Sequence, residues 1–501
     1  MTNKPASSLT ERLRESIGTR LVSATFDHVA ETERLLSEAG LCLGDFGGKL
    51  SFFGSDPIVP TSIRYGAAAA TALAAKGVAI ASIWKMRTGE GQSIHVDVRK
   101  SLRRFTVFFD GEWEKLNGRP GGYPWMVGNP FQVHPLLFQA KDGRWVMPLN
   151  MYPRLRSRAL TLLECADNIE AVKLAISKHD GLELEEAGAE AGVVMPMLRS
   201  TEAFMNELQY TNALADAPLI CVEKILPSEP VPFSEAPCSP LDGIRALGMG
   251  HVIAGAGIGR AFALHGVDVL NIWQPLDVEH DRIYNTANVG LRSSILSLND
   301  KHDRAVFDGL MARADLFFAN RRPNYLERYG LSAQELCTKR PGLIHVQVFL
   351  HGDRGPWANR VGFDESAGAV TGINFIEGSD QEPRLSAVKV VCDYISGWLA
   401  SVGALSALKR RAIEGGSYRV TVSLTRTCLW MLSLGLFDRS YAQQTAGSTD
   451  EHTYVPPELF QSQTPLGLYQ GVTEQVEMTR TPGEYSPILI PRGSSEARWL
   501  S

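Results

Sequence analysis

A glycine-bearing segment behind a proline-rich stretch constrains the fold of this 501-residue chain more than any other feature. From residue 243 it reads GIRALGMGHVIAGAGIGRAFALHGVDVLNIW. Apolar runs predict strands near Ile244–Leu247 and at Val267–Ile272, joined by a glycine-rich turn and a helix from about Gly257 to His265. A parallel pair of strands needs a long crossover connection, usually a helix. Two strands joined through a helix are therefore expected to lie parallel. The segment therefore predicts an α/β fold, with an open, Rossmann-like parallel sheet in a large domain.

Further elements of this kind follow downstream. A buried strand is predicted at Leu343–Leu350, after a helical stretch at 301–314. A helix at Asp393–Arg411 leads into a strand at Tyr418–Leu424. Upstream, residues 139–148 read as strand, Asp-Gly turn and strand, and residues 153–215 are mostly helical, which indicates a smaller α+β domain.

Two features indicate how the chain is divided. Five prolines within 226–242 can sustain neither a helix nor a central strand, so this stretch predicts a linker. Residues 84–98 parallel residues 408–422, because both read as helix end, basic pair, glycine-bearing turn and strand. In this repeat Ala69 lies opposite Asp393. A chance likeness of two common helix–turn–strand units is the alternative.

Charge and composition exclude several classes of protein. The net charge of −5 and pI near 6.2 do not suit nucleic-acid binding. No run of 18 uncharged apolar residues occurs, so no membrane span is expected. The first 20 residues have no apolar signal region, which predicts a cytoplasmic protein. The seven cysteines form no C-x-x-C pair, which argues against zinc and disulfides.

Neither the glycine turn nor the histidines carry the motifs of other chemistries. GAGIGRA at 255–261 does not have the dinucleotide spacing, and the following strand ends without the acidic residue that binds a ribose, so a packing turn is favoured. No G-x-S-x-G elbow or P-loop lysine occurs. His251 is the histidine placed nearest to a candidate site, and a structural role is favoured for it.

Asp393 remains as the candidate reactive group. It follows an apolar run and precedes a helix, where aspartate is a favoured N-cap, and residue physics alone favours that structural role. A nucleophile is compatible with the same place, because amides at a helix N-terminus stabilise negative charge.

Five segments in a fixed order carry a resemblance to a known family. They are PLDGIRALGMGHVIAGAGIGRAFALHGVDVLNIWQP, NVGLRSSILSL, RADLFFANRRPNYLERYGL, GDRGPWANRVGFD and VVCDYISGWLASVGALSAL. Together they resemble the family III CoA-transferases (CaiB/BaiF family), a group that includes formyl-CoA transferase, carnitine CoA-transferase and the α-methylacyl-CoA racemases. The resemblance runs from Pro240 to about Leu424 and continues before the linker in an unusual, tandem or permuted order.

The resemblance implies a function and a site. It implies an enzyme that moves CoA from an acyl-CoA to a carboxylic acid, with Asp393 as the nucleophile and no metal or permanently bound cofactor. It implies that CoA, as a substrate, lies over the turn around Val252–Gly257 and that the protein is a homodimer. The positions where the family lines its CoA site are Val252, Ala254, Arg292, Leu296, Asn320, Arg328 and Tyr329.

The resemblance also implies a division of the chain. Residues 1–110 are interpreted as a partial first copy of the large domain, 111–225 as the small domain and 226–242 as the linker. Residues 243–450 are interpreted as the CoA-binding catalytic large domain, and 451–501 as a C-terminal return segment.

Three departures from the family pattern keep alternatives open. Val289 and Leu291 stand where the family has basic residues, and Arg321 stands for its phenylalanine. Phe363 stands where the racemase branch has a histidine, so a racemase is less favoured than a transferase. An acyl-CoA racemase or lyase on the same scaffold is one alternative, and a CoA-binding pseudoenzyme is the other.

Overall fold

A parallel sheet forms the centre of the protein. The computed structural model describes residues 8–105, 113–120, 136–389 and 392–500. Its largest described sheet has seven strands, in the spatial order Arg292–Ile295, Asp268–Trp273, Arg245–Met249, Leu316–Ala319, Ile344–Phe349, Ser417–Ser423 and Cys221–Leu226. The first six run parallel, and the last is an antiparallel edge strand. The predicted α/β class with a parallel sheet is confirmed, and the four strands predicted from Ile244 onward lie in this sheet.

The order of the strands places a crevice at one edge of the sheet. From the central strand Arg245–Met249 the chain proceeds first to one side and then crosses to Leu316–Ala319 on the other side. At such a reversal the connections diverge, which leaves space outside the carboxyl ends of the two adjacent strands. Met249 and Ala319 are the last residues of these strands, so the residues that follow them face the crevice.

Two long helices pack against each other beside the sheet. They are Tyr65–Thr88 and Cys392–Glu414, and both are rich in small residues that allow close approach. The second leads into Ser417–Ser423 of the main sheet. The first leads into Ile94–Asp97, which pairs with Leu50–Phe53 and Glu477–Met478 in a separate sheet. Each of these helices, together with the strand that follows it, has the predicted helix–turn–strand form. Their origin as copies of one repeat stays a prediction.

The other described elements surround this centre. The remaining α-helices are Leu9–Gly18, His28–Glu38, Pro153–Leu163, Ile169–Ile176, Gly181–Ala191, Thr201–Met205, Ala254–Ala263, Asp281–Ala287, Lys301–Met311, Pro323–Arg328, Ala333–Lys339, Asp364–Thr371, Ile373–Glu377, Leu424–Leu432 and Arg439–Thr445. The remaining strands are Arg20–Leu21 with Leu436–Phe437, Phe138–Gln139 with Trp145–Val146, and the sheet of Leu459–Thr464, Gly467–Val472, Lys115–Leu116 and Arg119–Pro120.

The hydrophobic core extends across the predicted domain boundaries. One apolar cluster contains residues from Leu9 to Leu489, on both sides of the proline-rich stretch. A separate cluster lies within the predicted small domain, between Phe138 and Met197. The strand Cys221–Leu226 joins the main sheet directly, and residues 227–244 form neither helix nor strand. The domain division proposed from the sequence stays a prediction.

Among the described residues, one helix is long and apolar enough to cross a membrane. This helix is Tyr65–Thr88, and its most apolar 18-residue window is completely buried inside the protein. A fully enclosed core helix meets the same criterion of length and hydropathy, so the finding is weak evidence for a membrane span.

A buried network of charges ties the first long helix to the C-terminal segment. Lys76 donates a hydrogen bond of 2.6 Å to Glu474, and both side chains are almost completely buried. The guanidinium groups of Arg104 and Arg260 lie 3.6 and 3.4 Å from the same carboxylate. Glu474 therefore compensates three buried cations that come from separate parts of the sequence.

Candidate active site

A cavity of about 350 Å³ lies in the crevice at the carboxyl ends of the strands. Its wall includes Asp393 together with Val252, Ala254 and Asn320. The structure thus brings four of the eight site residues predicted from the sequence to one cavity. Val252 and Ala254 follow the central strand, and Asn320 follows its neighbour, which is where the sheet reversal opens the crevice.

Asp393 lies in the first turn of the helix Cys392–Glu414 and is 5% exposed. The helix begins one residue before it, so the N-cap role favoured by residue physics is wrong. Burial raises the pKa of Asp393 well above its usual range, and the nearby carboxyls of Asp364, Glu365 and Glu279 raise it further. Asp393 is therefore held in an environment that disfavours its charge, as in many reactive carboxylates.

Asp364 is a functional candidate that the sequence reasoning did not assign. One of its carboxyl oxygens accepts a hydrogen bond of 3.1 Å from the backbone N–H of Asp393, and the other accepts one of 3.1 Å from the Cys392 thiol. Burial and the neighbouring Glu365 raise the pKa of Asp364 to about 7. In the sequence, the only sign of a function for Asp364 is its position at the end of the G-F-D motif. Its contact with Asp393 is made by the fold.

The contact with Asp364 predicts a change in pH dependence. Negative charge on Asp364 raises the pKa of Asp393, so Asp364→Asn is expected to lower that pKa and move the acid limb of the kcat/KM profile down by about one pH unit. The amide oxygen of asparagine still accepts from the N–H of Asp393. The exposed Asp380→Asn is the control, and its profile is expected to match that of the wild type. An acid limb that stays in place in Asp364→Asn, or moves to higher pH, contradicts the prediction.

The turn after the central strand is held by side-chain amides. Asn320 accepts a hydrogen bond of 2.9 Å from the backbone N–H of His251 and donates one of 2.8 Å to the carbonyl of His251. A Cβ on Gly255 would lie 2.3 Å from Oδ1 of Asn320, so only glycine fits at this close approach. Asn271, inside the next strand Asp268–Trp273, bonds both backbone groups of Gly250. The tight turn comprises residues 250–253, whereas the glycines at 255–261 that the sequence assigned to a packing turn lie in the helix Ala254–Ala263, so that part of the prediction is wrong.

Val252 in this turn has a left-handed backbone with φ of 53°, which is strained for a β-branched residue. Its N–H donates a hydrogen bond of 2.8 Å to Glu279, whose other oxygen accepts one of 2.6 Å from the Tyr152 hydroxyl. Glu279 is buried, and this burial raises its pKa. Glu279 thus fixes the strained turn against a residue of the predicted small domain.

This arrangement predicts that the effects of two substitutions are coupled. The Glu279 carboxylate accepts from Val252, Tyr152 and the backbone N–H of His280. Glu279→Gln turns one of its two oxygens into a donor that faces another donor, and we expect it to raise the KM for acyl-CoA about tenfold. Glycine adopts the left-handed conformation without support, so the same change should matter less in a Val252→Gly protein. Measuring KM for the four proteins of this cycle tests the prediction. Equal losses in both backgrounds would contradict a positioning role for Glu279.

His251 projects into the same cavity beside two charged side chains. Its Nε2 lies 3.0 Å from Asp277, which also accepts a hydrogen bond of 2.7 Å from Arg321. Burial, together with the charge of Arg321, lowers the pKa of His251 to about 4. At neutral pH the imidazole is therefore uncharged. Arg321 is one of the residues that depart from the family pattern, and it takes part in this cluster.

The other four predicted CoA-site residues do not line this cavity. Arg292 lies at the amino end of its strand and bonds Asp268 and the carbonyl of Arg498. Leu296 is buried in an apolar cluster with neighbours from the sheet. Arg328 is exposed and donates to the Tyr329 hydroxyl at 2.7 Å. Tyr325 packs against Tyr329 and lies under Arg321, which connects this pair to the cavity wall.

No group of three or more histidine, cysteine or acidic side chains among the described residues is arranged to hold a metal ion. The seven cysteines carry no disulfide bond.

A family model matches part of the chain. Residues 241–476 match the model of CoA-transferase family III. The resemblance indicated by the five ordered motifs is confirmed for this region, which contains every site residue predicted from the sequence.

Curated proteins with related sequences are CoA-transferases by name. "Acetyl-coenzyme A transferase nodX" of Hypoxylon pulicicidum is 27% identical over 345 residues, which are 64% of this chain and 56% of that protein. The "Succinyl-CoA--L-malate CoA-transferase alpha subunit" of Chloroflexus aurantiacus is 29% identical over 42% of this chain and 53% of its own length. The chain spans about half the length of the curated relatives that it matches.

Solved structures give a similar partial match. A CAIB/BAIF family protein from Brucella suis is 25% identical, with a TM-score of 0.35, over 39% of this chain and 55% of that one.

Proposed function

We propose that the protein transfers CoA from an acyl-CoA to a carboxylic acid, with Asp393 as the nucleophile. The observation that carries the proposal is the position of Asp393 in the wall of the 350 Å³ cavity, beside the turn that follows the central strand. The family match over residues 241–476 and the names of the curated relatives support the same reaction class.

The reaction can be written with this carboxylate alone. The ionised Asp393 attacks the carbonyl carbon of the thioester, the C–S bond breaks, and CoA leaves as a thiolate with a mixed anhydride formed on Asp393. The thiolate then attacks the aspartyl carbonyl, which releases the first acid and leaves an aspartyl-CoA thioester. The acceptor carboxylate repeats these steps in reverse. Each acyl exchange is divided into two easier displacements, as in covalent catalysis generally.

The environment of Asp393 suits these steps. A carboxylate with a raised pKa is more basic and so a stronger nucleophile once it is ionised. Formation of the anhydride or thioester removes its charge from a site already crowded by Asp364, Glu365 and Glu279. The same crowding that disfavours the free carboxylate therefore favours the neutral, acylated forms of Asp393.

Cationic side chains around the cavity suit the phosphates of CoA. Arg154, Arg321, Arg322 and Arg360 all contribute to its lining. Guanidinium groups bind phosphate through paired N–H donors. Arg328 and Tyr329 lie next to this group, and we propose that they contact the outer part of CoA.

One observation bears on the alternative racemase. Phe363 lines the cavity where the racemase branch has a histidine, so a hydrophobic ring stands in the place of a proton carrier. Incubation with a chiral 2-methylacyl-CoA in deuterated water separates the two reactions. Uptake of α-deuterium without any acceptor acid would exclude a simple transferase.

Hydroxylamine trapping tests the proposed reaction directly. After addition of an acyl-CoA, an activated Asp393 carbonyl should form a hydroxamate that mass spectrometry locates on the Asp393 peptide. The Asp393→Asn protein is the control and should form none. CoA binding without any hydroxamate would instead identify a pseudoenzyme.

We further propose that the protein acts as a homodimer in the cytoplasm. The family resemblance supports the dimer, and the seven cysteines without disulfide bonds are compatible with a reducing compartment. Light scattering on the purified protein would measure its oligomeric state.

A further inference from the structure

A second cavity lies directly behind the candidate active site. Its volume is about 220 Å³. Three pairs of consecutive residues separate the two cavities: Met151 and Tyr152, Phe363 and Asp364, and Cys392 and Asp393. In each pair one residue lines the second cavity and the other lines the first. Asp393 therefore lies in the wall that the two cavities share.

The two cavities differ in chemical character. The first carries His251, Asp277 and several arginines. The second has a mainly apolar wall, which includes Met147, Leu149, Met151, Ile283, Ile373 and Met431. Three of these six side chains are methionines, which adapt to ligands of irregular shape.

Two carboxyls are among the polar groups of the second cavity. Asp364 and Glu365 line it, and burial raises the pKa of both carboxyls. Arg282 and Lys389 also line it, but Lys389 is exposed. A ligand with a second carboxylate would bring that charge toward Asp364 and Glu365, whereas an apolar group meets the methionine and leucine side chains.

The volume of the cavity limits the size of its ligand. An apolar protein cavity of about 150 Å³ binds benzene. A cavity of 220 Å³ therefore accommodates a six-membered ring with roughly two or three further carbons.

We infer that this second cavity holds the acyl group of the substrates, and that these are aromatic or similarly bulky apolar monocarboxylic acids rather than small or dicarboxylic ones. The inference rests on the proposed CoA transfer at Asp393. In that reaction donor and acceptor acyl groups meet the same aspartyl carbon in turn, so one cavity selects both acids.

Gly368 provides a way to fill the cavity selectively. It lies in the helix Asp364–Thr371 and lines the second cavity but not the first. A Cβ added there would meet only Ile373, at an ordinary contact distance of 3.8 Å. A leucine at this position is therefore expected to extend into the empty volume. Gly309, on the exposed surface of the helix Lys301–Met311, has no atom within 4 Å of a Cβ and supplies the matched control, Gly309→Leu.

The test compares 3-phenylpropanoyl-CoA, acetyl-CoA and succinyl-CoA as acyl donors, with the rate of hydroxamate formation on Asp393 as the readout. Wild-type protein should react with 3-phenylpropanoyl-CoA at least about tenfold faster than with succinyl-CoA at equal subsaturating concentration. In Gly368→Leu the rate of hydroxamate formation should fall about thirtyfold or more with 3-phenylpropanoyl-CoA. With acetyl-CoA it should fall less than about threefold. Gly368→Ala should lie between wild type and Gly368→Leu, and Gly309→Leu should equal the wild type.

The possible failures can be told apart. A preference for succinyl-CoA would mean that Arg282 and Lys389 select a dicarboxylate, and it overturns the inference. Equal losses with all three donors in both Gly368 variants also overturn it, because the cavity then does not hold the acyl group. Hydroxamate from none of the donors in the folded wild-type protein overturns the proposed CoA transfer itself.

Discussion

Asp393→Asn is expected to reduce kcat by roughly 10⁴-fold or more while leaving the protein folded, since removing a nucleophile typically costs this much. Asparagine has nearly the same shape, but its amide cannot attack a thioester. The cavity that contains Val252, Ala254 and Asn320 is expected to remain intact, so the affinity for CoA should change little.

The same substitution should make the folded state more stable at neutral pH. Burial and the surrounding carboxyls raise the pKa of Asp393 above its value in the unfolded chain. A carboxyl with a raised pKa destabilises the fold at pH values above its unfolded pKa, because the unfolded chain is then ionised at no comparable cost. Replacement by a neutral amide removes this cost. A higher melting temperature together with lost turnover is the expected pattern for a residue kept for function rather than stability.

Two expectations are tested, the loss of turnover and the gain in stability. Wild type and Asp393→Asn are compared in steady-state turnover, in CoA binding by calorimetry and in thermal unfolding. Asp393→Glu is a useful companion, because it keeps a carboxylate but displaces it, and it should retain part of the hydroxamate formation. Full turnover in Asp393→Asn would contradict the assigned nucleophile. Loss of CoA binding along with activity would indicate a structural role instead.

Glu474→Gln is expected to lower the free energy of unfolding by about 3–5 kcal/mol, because it leaves buried cations without their counter-charge. Glu474 accepts the hydrogen bond from Lys76 and lies close to Arg104 and Arg260. Arg104 keeps a second carboxylate in Glu114 at 2.9 Å, but Lys76 has no other ion pair among the described residues. The pairing joins the first long helix to the C-terminal segment, so its loss should loosen both.

The pH dependence of this effect follows from the direction of the pKa shift. Burial alone would raise the pKa of Glu474, but Lys76, Arg104 and Arg260 bring it well below its usual value of 4.5. A carboxyl with a lowered pKa contributes stability that is present above the unfolded pKa and is lost as the pH falls through the folded pKa. The difference between wild type and Glu474→Gln should therefore be largest near neutral pH and shrink below about pH 4.5.

Urea denaturation of the two proteins at several pH values measures this difference. Glu496→Gln is the matched control, since Glu496 pairs with Arg498 on the exposed surface and should contribute less than about 1 kcal/mol. Equal stability of wild type and Glu474→Gln at neutral pH would contradict the account. The Lys76→Met/Glu474→Gln double variant should be less destabilised than Glu474→Gln alone, because it also removes one of the unpaired cations.

The parallel sheet and the nucleophile candidate could be predicted because their signals are local. Apolar runs of strand length, the glycine turn and the order of the five motifs lie within 240–424 and need no knowledge of distant contacts. The predicted strands match the observed ones to within two residues at each end. The predicted helix at Asp393 began one residue too late, and this single residue changes Asp393 from a helix cap into a first-turn residue.

Only some of the predicted CoA-site residues line the cavity, and the reason is physical. Val252, Ala254 and Asn320 follow strands whose carboxyl ends meet at the sheet reversal, so their convergence follows from the topology. Arg292 lies at the opposite end of its strand, where Asp268 holds it. Leu296 faces an apolar cluster.

The sequence by itself determined the α/β class, the strands of the parallel sheet from Ile244 onward and the placement of Asp393 at the start of a helix after an apolar run. These properties depend on short-range periodicity and turn chemistry, which neighbouring residues define. Only the tertiary structure decided which carboxyls surround Asp393, which cations Glu474 compensates and where a second cavity lies. Such contacts join residues that are far apart in sequence. A carboxyl's charge and burial depend on what the fold places beside it and not on the residues next to it in the chain.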